Sequence, residues 1–198
     1  MNINKLVLKK ILKVFLTLQW AKELPRQGFI ALGFKRNEAD SVAAHSWATA
    51  MLTYLLATEM KKNGQKINVD KAFKMAMFHD MAETIVGDVG TFVKSMAGGA
   101  FAPIEKEGLK WLVSDLPSKK EIVSLVEEYM KRKTLEARLV KVADNLDALA
   151  QAKGVPAANS ALKYFKEVYH ITKIPFHKMA VEMILKDEVE PERSWQKK

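Results

Sequence analysis

Two histidines and two aspartates, well separated along the chain, carry side chains that bind divalent metal ions. His79 is followed directly by Asp80 inside an apolar sequence, and His45 and Asp144 also lie among apolar residues. An ionised carboxylate is costly to bury unless a partner compensates its charge, and a divalent cation is the strongest such partner. Imidazole and carboxylate together favour one transition metal ion (Mn, Co, Ni, Fe or Zn) over calcium. We therefore predict a metal site with His45, His79, Asp80 and Asp144 as its ligands.

Helical periodicity places these residues on buried faces. His45 precedes Thr49 by four residues, and Asp144 precedes Ala148 by four, which is the spacing of a single helix face. The ligands are therefore predicted to come from three helices that share one core, over residues 41–62, 70–84 and 134–153. Asp40 or Ser41 is predicted to cap the first of these helices, and Asp70 the second.

The remainder of the chain is also predicted to be helical. No stretch alternates apolar and polar residues with β-branched enrichment, so strands are not expected. We predict an all-α fold with one compact multi-helix domain, a core over about residues 24–186 and a loose tail over 187–198. Residues 26–40 are predicted to form an irregular connection. Further helices are predicted over residues 6–24, 103–113, 119–131, 157–170 and 176–186.

The composition restricts the possible classes of protein. The chain has 198 residues and no cysteine, which excludes disulfides and thiolate metal sites. Residues 6–18 are apolar but interrupted by three lysines, and no cleavage site follows them, so a leader peptide is not expected. The apolar runs fall far short of the roughly 20 residues that span a bilayer. We expect a cytoplasmic protein with no membrane partner.

The net charge of +9 has two interpretations. A basic surface attracts nucleic acid or anionic metabolites. A lysine-rich solvated surface is the simpler interpretation, because the lysines are scattered along the whole chain without an arginine and aromatic stripe. The sequence favours the second interpretation, so nucleic acid is not the expected partner.

The order His45…His79-Asp80…Asp144 resembles the HD-domain superfamily of metal-dependent phosphohydrolases. Three blocks, residues 41–46, 77–88 and 140–146, look like those of its 5′-deoxynucleotidase branch, and the similarity covers about residues 24–152. The most specific block is His-Asp-x-x-Glu-(x)4-Asp. The resemblance implies an HD-domain fold, a homodimer and removal of the 5′-phosphate from deoxyribonucleoside 5′-monophosphates.

The resemblance also implies roles for residues around the metal. Glu83 and Asp88 match carboxylates that act as catalytic acid and base groups or position water. Hydrolysis at neutral pH needs one group to accept a proton and another to give one to the leaving oxygen. Thr91 and Lys94 match a Thr-x-x-Lys block that would contact the substrate phosphate.

Arg26 matches a family arginine that approaches the phosphate or the sugar, and Arg36 is the competing candidate.

The sequence departs from the family at two positions. Ala44 stands where members carry an acidic residue before the ligand histidine, so a carboxylate partner of His45 is expected to be missing. Gln27 stands where some bacterial members carry an aromatic residue next to the arginine.

Two alternatives to the deoxynucleotidase interpretation remain at this stage. An HD-type hydrolase of another nucleotide would act on a deoxynucleoside triphosphate, a cyclic nucleotide or guanosine tetraphosphate. Glu83-Thr84 stands where hydrolases of guanosine tetraphosphate usually carry Glu-Asp, which argues against that last substrate. A non-catalytic nucleic-acid-binding module is the other alternative.

Overall fold

The computed structural model describes residues 3–153, 172–189 and 191. These residues form helices and contain no strand, apart from one isolated antiparallel bridge between Pro25 and Ser41. The all-α prediction is confirmed. The predicted helix over 157–170 and most of the 187–198 tail lie outside the described residues.

The helices are α1 Lys5–Leu18, α2 Gln27–Ala31, α3 Val42–Lys62, α4 Val69–Phe78, α5 Glu83–Val86, α6 Thr91–Met96, α7 Phe101–Leu112, α8 Lys119–Lys131, α9 Leu135–Lys153 and α10 Pro175–Leu185, with a 3₁₀ helix over Gln19–Lys22.

Helices α3, α4 and α9 pack against one another and form the centre of the fold. Small residues such as Ala50 and Ala76 are fully buried where these helices approach, and larger ones such as Leu139 and Val140 fill the space between them. Burial of this apolar surface is the main stabilising contribution. The predicted metal ligands are therefore carried by, or directly follow, the helices at the centre of the fold.

Local capping explains where the central helices begin. The Ser41 hydroxyl accepts from the Ala44 amide at 3.1 Å and caps α3, so Ser41 is the cap of the two candidates, Asp40 and Ser41. The cap of α4 is Asn68, whose side chain accepts from the Lys71 amide at 3.0 Å, and the prediction of Asp70 as the cap is wrong. Asp70 lies in the first turn instead, where its charge complements the helix dipole.

The N-terminal part of the fold differs from the prediction in two places. Helix α1 ends at Leu18 rather than near residue 24, because the chain tightens into the 3₁₀ helix. The predicted irregular connection over residues 26–40 contains the short helix α2. Five residues are too few for helical periodicity to be visible in a sequence.

Helix α1 exposes most of its apolar side chains. Val14 is its one buried residue, whereas Phe15 is 54% exposed and the neighbouring Trp20 is 66% exposed. Among the helices that the structure describes, none has both the length and the apolar character that crossing a bilayer requires. The exposed apolar residues of α1 are Leu6, Leu8, Ile11, Leu12, Phe15 and Leu16.

Candidate metal centre

His45 lies in the first turns of α3 and is completely buried. Its Nδ1 donates to Oδ2 of Asp147 at 2.6 Å, and since a carboxylate only accepts, Nε2 is the nitrogen left to bind a metal ion. The expectation that His45 lacks a carboxylate partner is wrong. The adjacent Ala44 offers none, but α9 supplies one from a distant part of the sequence.

His79 and Asp80 lie at an interruption of the helix and not within it. Helix α4 ends at Phe78. The hydrogen bonds after it join residues three apart in the sequence rather than four, such as the Glu83 amide donating to the Asp80 carbonyl at 3.0 Å. His79 Nδ1 donates to the Ala76 carbonyl at 2.6 Å, which is the acceptor that the Asp80 amide would use in a continuous helix. The prediction of one helix over residues 70–84 is therefore wrong. The same bond leaves Nε2 of His79 as its free nitrogen.

The free atoms of the predicted ligands converge on one point. Oδ2 of Asp80 lies 3.1 Å from Nε2 of His79 and 3.5 Å from Nε2 of His45. Oδ1 of Asp144 lies 3.4 Å from Nε2 of His45. Both Nε2 atoms are buried, and neither has a hydrogen-bond partner among the described residues. The structure thus brings together all four residues that the sequence selected.

This arrangement fits a divalent cation. Donor atoms bound at about 2.1 Å from one ion lie roughly 3.0–3.4 Å apart when they are neighbours, close to the separations found here. Two buried imidazole nitrogens without a hydrogen-bond partner would otherwise be costly. The donor set of nitrogen and carboxylate oxygen suits a transition metal. His45, His79, Asp80 and Asp144 are the residues that would hold it.

The second carboxylate oxygen of Asp144 is engaged on the opposite side. Oδ2 accepts from the Tyr129 hydroxyl at 2.9 Å and from Lys141 Nζ at 2.6 Å. Sequence reasoning missed both partners. Lys141 lies three residues before Asp144, so helical spacing contains that signal, whereas the tyrosine comes from α8 and leaves none. These bonds orient Asp144 so that Oδ1 faces His45.

Burial and neighbouring charges shift the pKa values of the residues in the proposed metal centre. Burial and Arg26 lower the pKa of His45, but the nearby carboxylates of Asp144 and Asp147 outweigh them and raise it to about 9. Burial raises the pKa of Asp80, but His79 and His45 outweigh burial and hold the pKa below its usual range. The site therefore stabilises ionised carboxylates and attracts positive charge.

Glu83 is buried at the start of α5, beside the centre. Burial, followed by the charges of Asp80 and Asp88, raises the pKa of its carboxyl to about 10. Lys94 Nζ lies 3.2 Å from Oε1 of Glu83 and 2.6 Å from Oε1 of Glu105. The shorter contact makes Glu105 the tighter partner of the lysine. Glu83 thus keeps its proton at neutral pH in the metal-free protein.

Asp88 joins two loops that sequence reasoning did not connect. Its Oδ2 accepts from the Gln27 amide at 2.5 Å, at the first residue of α2. The backbones cross closely at this point, since a Cβ built on Gly90 would lie 3.0 Å from the Cα of Gly28. A side chain at position 90 would therefore force one of the two backbones to shift. Asp88 therefore holds the start of α2 against the metal centre.

Arg26 immediately precedes α2, and its guanidinium is buried. Desolvation lowers its pKa, but the charges of Asp144 and Asp80 outweigh this effect and raise it. Its Nη1 has no hydrogen-bond partner within the described part of the chain. Arg36, the competing candidate, is exposed and donates to the Glu23 carbonyl at 3.0 Å. Of the two arginines, Arg26 is the one beside the predicted ligands.

Thr91 is the first residue of α6 and is exposed. It lies three residues before Lys94, which is half-buried and reaches Glu83. The two residues therefore share one side of a short helix at the edge of the site. The structure places Lys94 beside the buried centre and Thr91 toward solvent.

Comparisons with known proteins agree with this geometry. A family model described as HD domain matches residues 19–184. The chain is 28% identical over 176 residues to human 5′-deoxynucleotidase HDDC2, covering 87% of this chain and 81% of the human protein. It is 33% identical over 146 residues to the Xenopus laevis protein of that name, covering 73% and 68%. A conserved hypothetical protein from Pyrococcus furiosus has a similar solved structure, with a TM-score of 0.69, 32% identity and coverage of 88% and 99%.

The helical fold and the His/Asp cluster define the class of this protein, and the matched range covers most of the chain. The chain belongs to the HD-domain family. It is a metal-dependent phosphohydrolase that resembles the 5′-deoxynucleotidases. The predicted family is confirmed.

Proposed function

We propose that this enzyme removes the 5′-phosphate from deoxyribonucleoside 5′-monophosphates. The observation that carries the proposal is the convergence of Nε2 of His45 and His79 with carboxylate oxygens of Asp80 and Asp144. The relatives named 5′-deoxynucleotidase support this choice of substrate. A cytoplasmic location follows from the proposed substrate, because nucleotide pools occur there.

These four residues would hold one divalent ion of Mn, Co, Ni, Fe or Zn. When bound, the ion supplies Lewis acidity, which polarises the phosphoryl group and makes water a stronger acid. The bonds from Nδ1 to Asp147 and to the Ala76 carbonyl place a proton on Nδ1 of each imidazole, so Nε2 is the nitrogen that each ring offers to the ion. The protein thereby presents donor atoms that are already arranged.

Arg26 and Lys94 are the residues proposed to receive the phosphate. Arg26 has a guanidinium nitrogen without a protein partner among the described residues, and this nitrogen lies in a buried region beside the ligands. A guanidinium binds two phosphate oxygens at once, which orients the group for attack. Lys94 would exchange part of its contact with Glu105 for the phosphate, and Thr91 would donate its hydroxyl.

Glu83 and Asp88 are proposed to move protons. Water attacks phosphorus and the bond to the 5′-oxygen breaks, so the water must lose a proton and the leaving oxygen must gain one. Glu83 is the carboxyl proposed to donate a proton, because its burial and the charges of Asp80 and Asp88 favour the protonated form. Asp88, which is tied to the Gln27 amide through Oδ2, is the carboxylate proposed to accept the proton of water.

We also propose that the enzyme is a homodimer. The exposed apolar residues of α1 and of the following 3₁₀ helix support this proposal, because large aromatic side chains such as Phe15 and Trp20 are typical of interface centres. Light scattering coupled to size exclusion should give twice the chain mass for the wild type. Phe15→Glu should give the single-chain mass, and a wild type of single-chain mass would contradict the proposal.

Phosphate release from a panel of nucleotides tests the function. The metal-free protein is supplied with Co²⁺ or Mn²⁺ and offered deoxyribonucleoside and ribonucleoside monophosphates, deoxynucleoside triphosphates and cyclic nucleotides. We expect release from the deoxyribonucleoside monophosphates. Asp80→Ala should lower it by roughly 100-fold or more, and the exposed Asp70→Ala is the matched control. Release of pyrophosphate or tripolyphosphate from triphosphates, with monophosphates untouched, would contradict the proposed substrate.

A further inference from the structure

Asp147 makes a short contact with a proposed metal ligand. Its Oδ2 lies 2.6 Å from Nδ1 of His45, and the aspartate side chain is 17% exposed against 0% for the histidine. An imidazole has two nitrogens, and the hydrogen bond at one of them decides which is free to bind a metal. A carboxylate on Nδ1 fixes the ring orientation and increases the basicity of Nε2.

A single helix contacts both nitrogens of His45. Asp144 and Asp147 are three residues apart on α9, and therefore share one face. Oδ1 of Asp144 lies 3.4 Å from Nε2, and Oδ2 of Asp147 lies 2.6 Å from Nδ1. Helix α9 thus carries one proposed ligand of the ion and, one turn later, the group that orients another.

The same aspartate has a second possible role. Ligand atoms of Asp40, His45 and Asp147 lie within 4.8 Å of one another, which is close enough to surround a cation. Two observations argue against this role. The Nδ1 of His45 is already a donor to Asp147, and an imidazole that binds one ion through Nε2 does not normally bind another through a protonated Nδ1. The positive charge of Arg26 also acts on Asp40.

We propose that Asp147 is a positioning residue that holds His45 with its proton on Nδ1 and its Nε2 directed at the metal centre. This inference rests on the proposed metal ligands but not on the identity of the nucleotide. Asp147 touches the histidine, not the substrate, so its effect should appear in metal affinity before any turnover.

Calorimetric titration of the metal-free full-length chain with Co²⁺ tests the proposal. Asp147→Ala should weaken Co²⁺ binding by about 10- to 100-fold. Asp147→Asn keeps an acceptor but loses the charge, and should fall between the wild type and the alanine variant. Glu59→Ala, an exposed position on the helix that carries His45, should bind as the wild type does. In the background of His45→Ala, Asp147→Asn should have no further effect on the remaining affinity.

Several outcomes would overturn the proposal. Unchanged Co²⁺ affinity in both Asp147 variants would exclude a positioning role. A stoichiometry that falls from two ions to one on Asp147→Asn would show that Asp147 is itself a ligand of a second ion. Thermal unfolding of the metal-free variants separates a folding defect from a local one. Wild type that binds no Co²⁺ would remove the metal centre and this inference together, whereas tight binding without phosphate release contradicts the proposed substrate alone.

Discussion

The Tyr129 hydroxyl donates to Oδ2 of Asp144 at 2.9 Å, deep in the space between α8 and α9. The tyrosine ring also packs edge-on against His79, with the ring centroids 5.2 Å apart. One side chain therefore touches a carboxylate ligand and an imidazole ligand of the proposed centre. Helix α8, which supplies no metal ligand, still takes part in arranging the site.

Tyr129→Phe removes this hydrogen bond and keeps the ring. We expect the free energy of unfolding of the metal-free protein to fall by about 1.5–3 kcal/mol, because the bond reaches a buried charged group. Urea denaturation, monitored by circular dichroism, measures this change in the free energy of unfolding. Tyr54→Phe, at a position 44% exposed, is the matched control and should change little. Equal effects of the two substitutions would show that the Asp144 bond is not important for stability.

The backbone crossing at Gly28 and Gly90 gives a paired test. A Cβ at position 90 would lie 3.0 Å from the Cα of Gly28, whereas a Cβ at position 28 would lie at an ordinary 3.6 Å from the Cα of Gly90. We expect Gly90→Ala to displace the loop that carries Asp88 by a few tenths of an ångström and to lower kcat by roughly 10-fold, less than the 100-fold that misplacement of about 1 Å costs. Gly28→Ala should be much milder in steady-state kinetics. A reversed order of severity would contradict this interpretation.

Glu83→Gln removes the proton that the proposed acid donates. We expect kcat for a deoxyribonucleoside monophosphate to fall by about 100- to 10,000-fold, with Co²⁺ affinity nearly unchanged. The loss should be much smaller with p-nitrophenyl phosphate, because its phenolate leaves without being protonated. Glu105→Gln, which removes the other carboxylate partner of Lys94, serves as the control. An equal loss on both substrates would show that Glu83 does not protonate the leaving oxygen.

Because His177 is buried, we expect the stability of the protein to depend on pH. His177 is not one of the proposed metal ligands. It is fully buried on α10, with Nε2 2.8 Å from Oδ1 of Asn145 and Nδ1 2.9 Å from the Thr172 hydroxyl. Burial, together with Lys141, lowers its pKa from 6.5 to about 4. The unfolded chain therefore takes up the proton first as pH falls. Stability should be fully present above pH 6.5 and should decrease toward pH 4, by up to about 3 kcal/mol.

Urea denaturation of the metal-free protein between pH 4 and pH 7 measures this dependence. His177→Gln lacks the titrating group, so the difference between the two pH profiles isolates its contribution. Parallel profiles would show that His177 has an ordinary pKa in the folded protein.

The sequence predicts α3 and α9 well and selects four side chains that the structure brings together, because helical periodicity and apolar context are strong local signals. The Ser41 cap and apolar periodicity define α3, and α8 and α9 begin and end within a residue of their predicted bounds. The interruption after Phe78 was not predictable in this way, since the apolar pattern continues through Met81 and Ala82. Its local cause is a bond between the His79 side chain and the backbone, which periodicity does not register.

The supporting contacts of the site were harder to predict, for a different physical reason. Tyr129 meets Asp144, and Asp88 meets Gln27, across turns whose geometry depends on how whole helices pack. Asp147 is an intermediate case. Its spacing from Asp144 places it on the ligand face of α9, but the family pattern puts the carboxylate partner of His45 at position 44, where this chain has alanine.

The proposed ligands come from α3, from the end of α4 and from α9, which are the three helices that pack together at the centre of the fold. This chain has no cysteine and therefore no covalent cross-link between distant segments. An ion held by His45, His79, Asp80 and Asp144 would act as a reversible cross-link among these helices. Its binding free energy would then add to the free energy of folding, so the melting temperature should rise with the concentration of free Co²⁺.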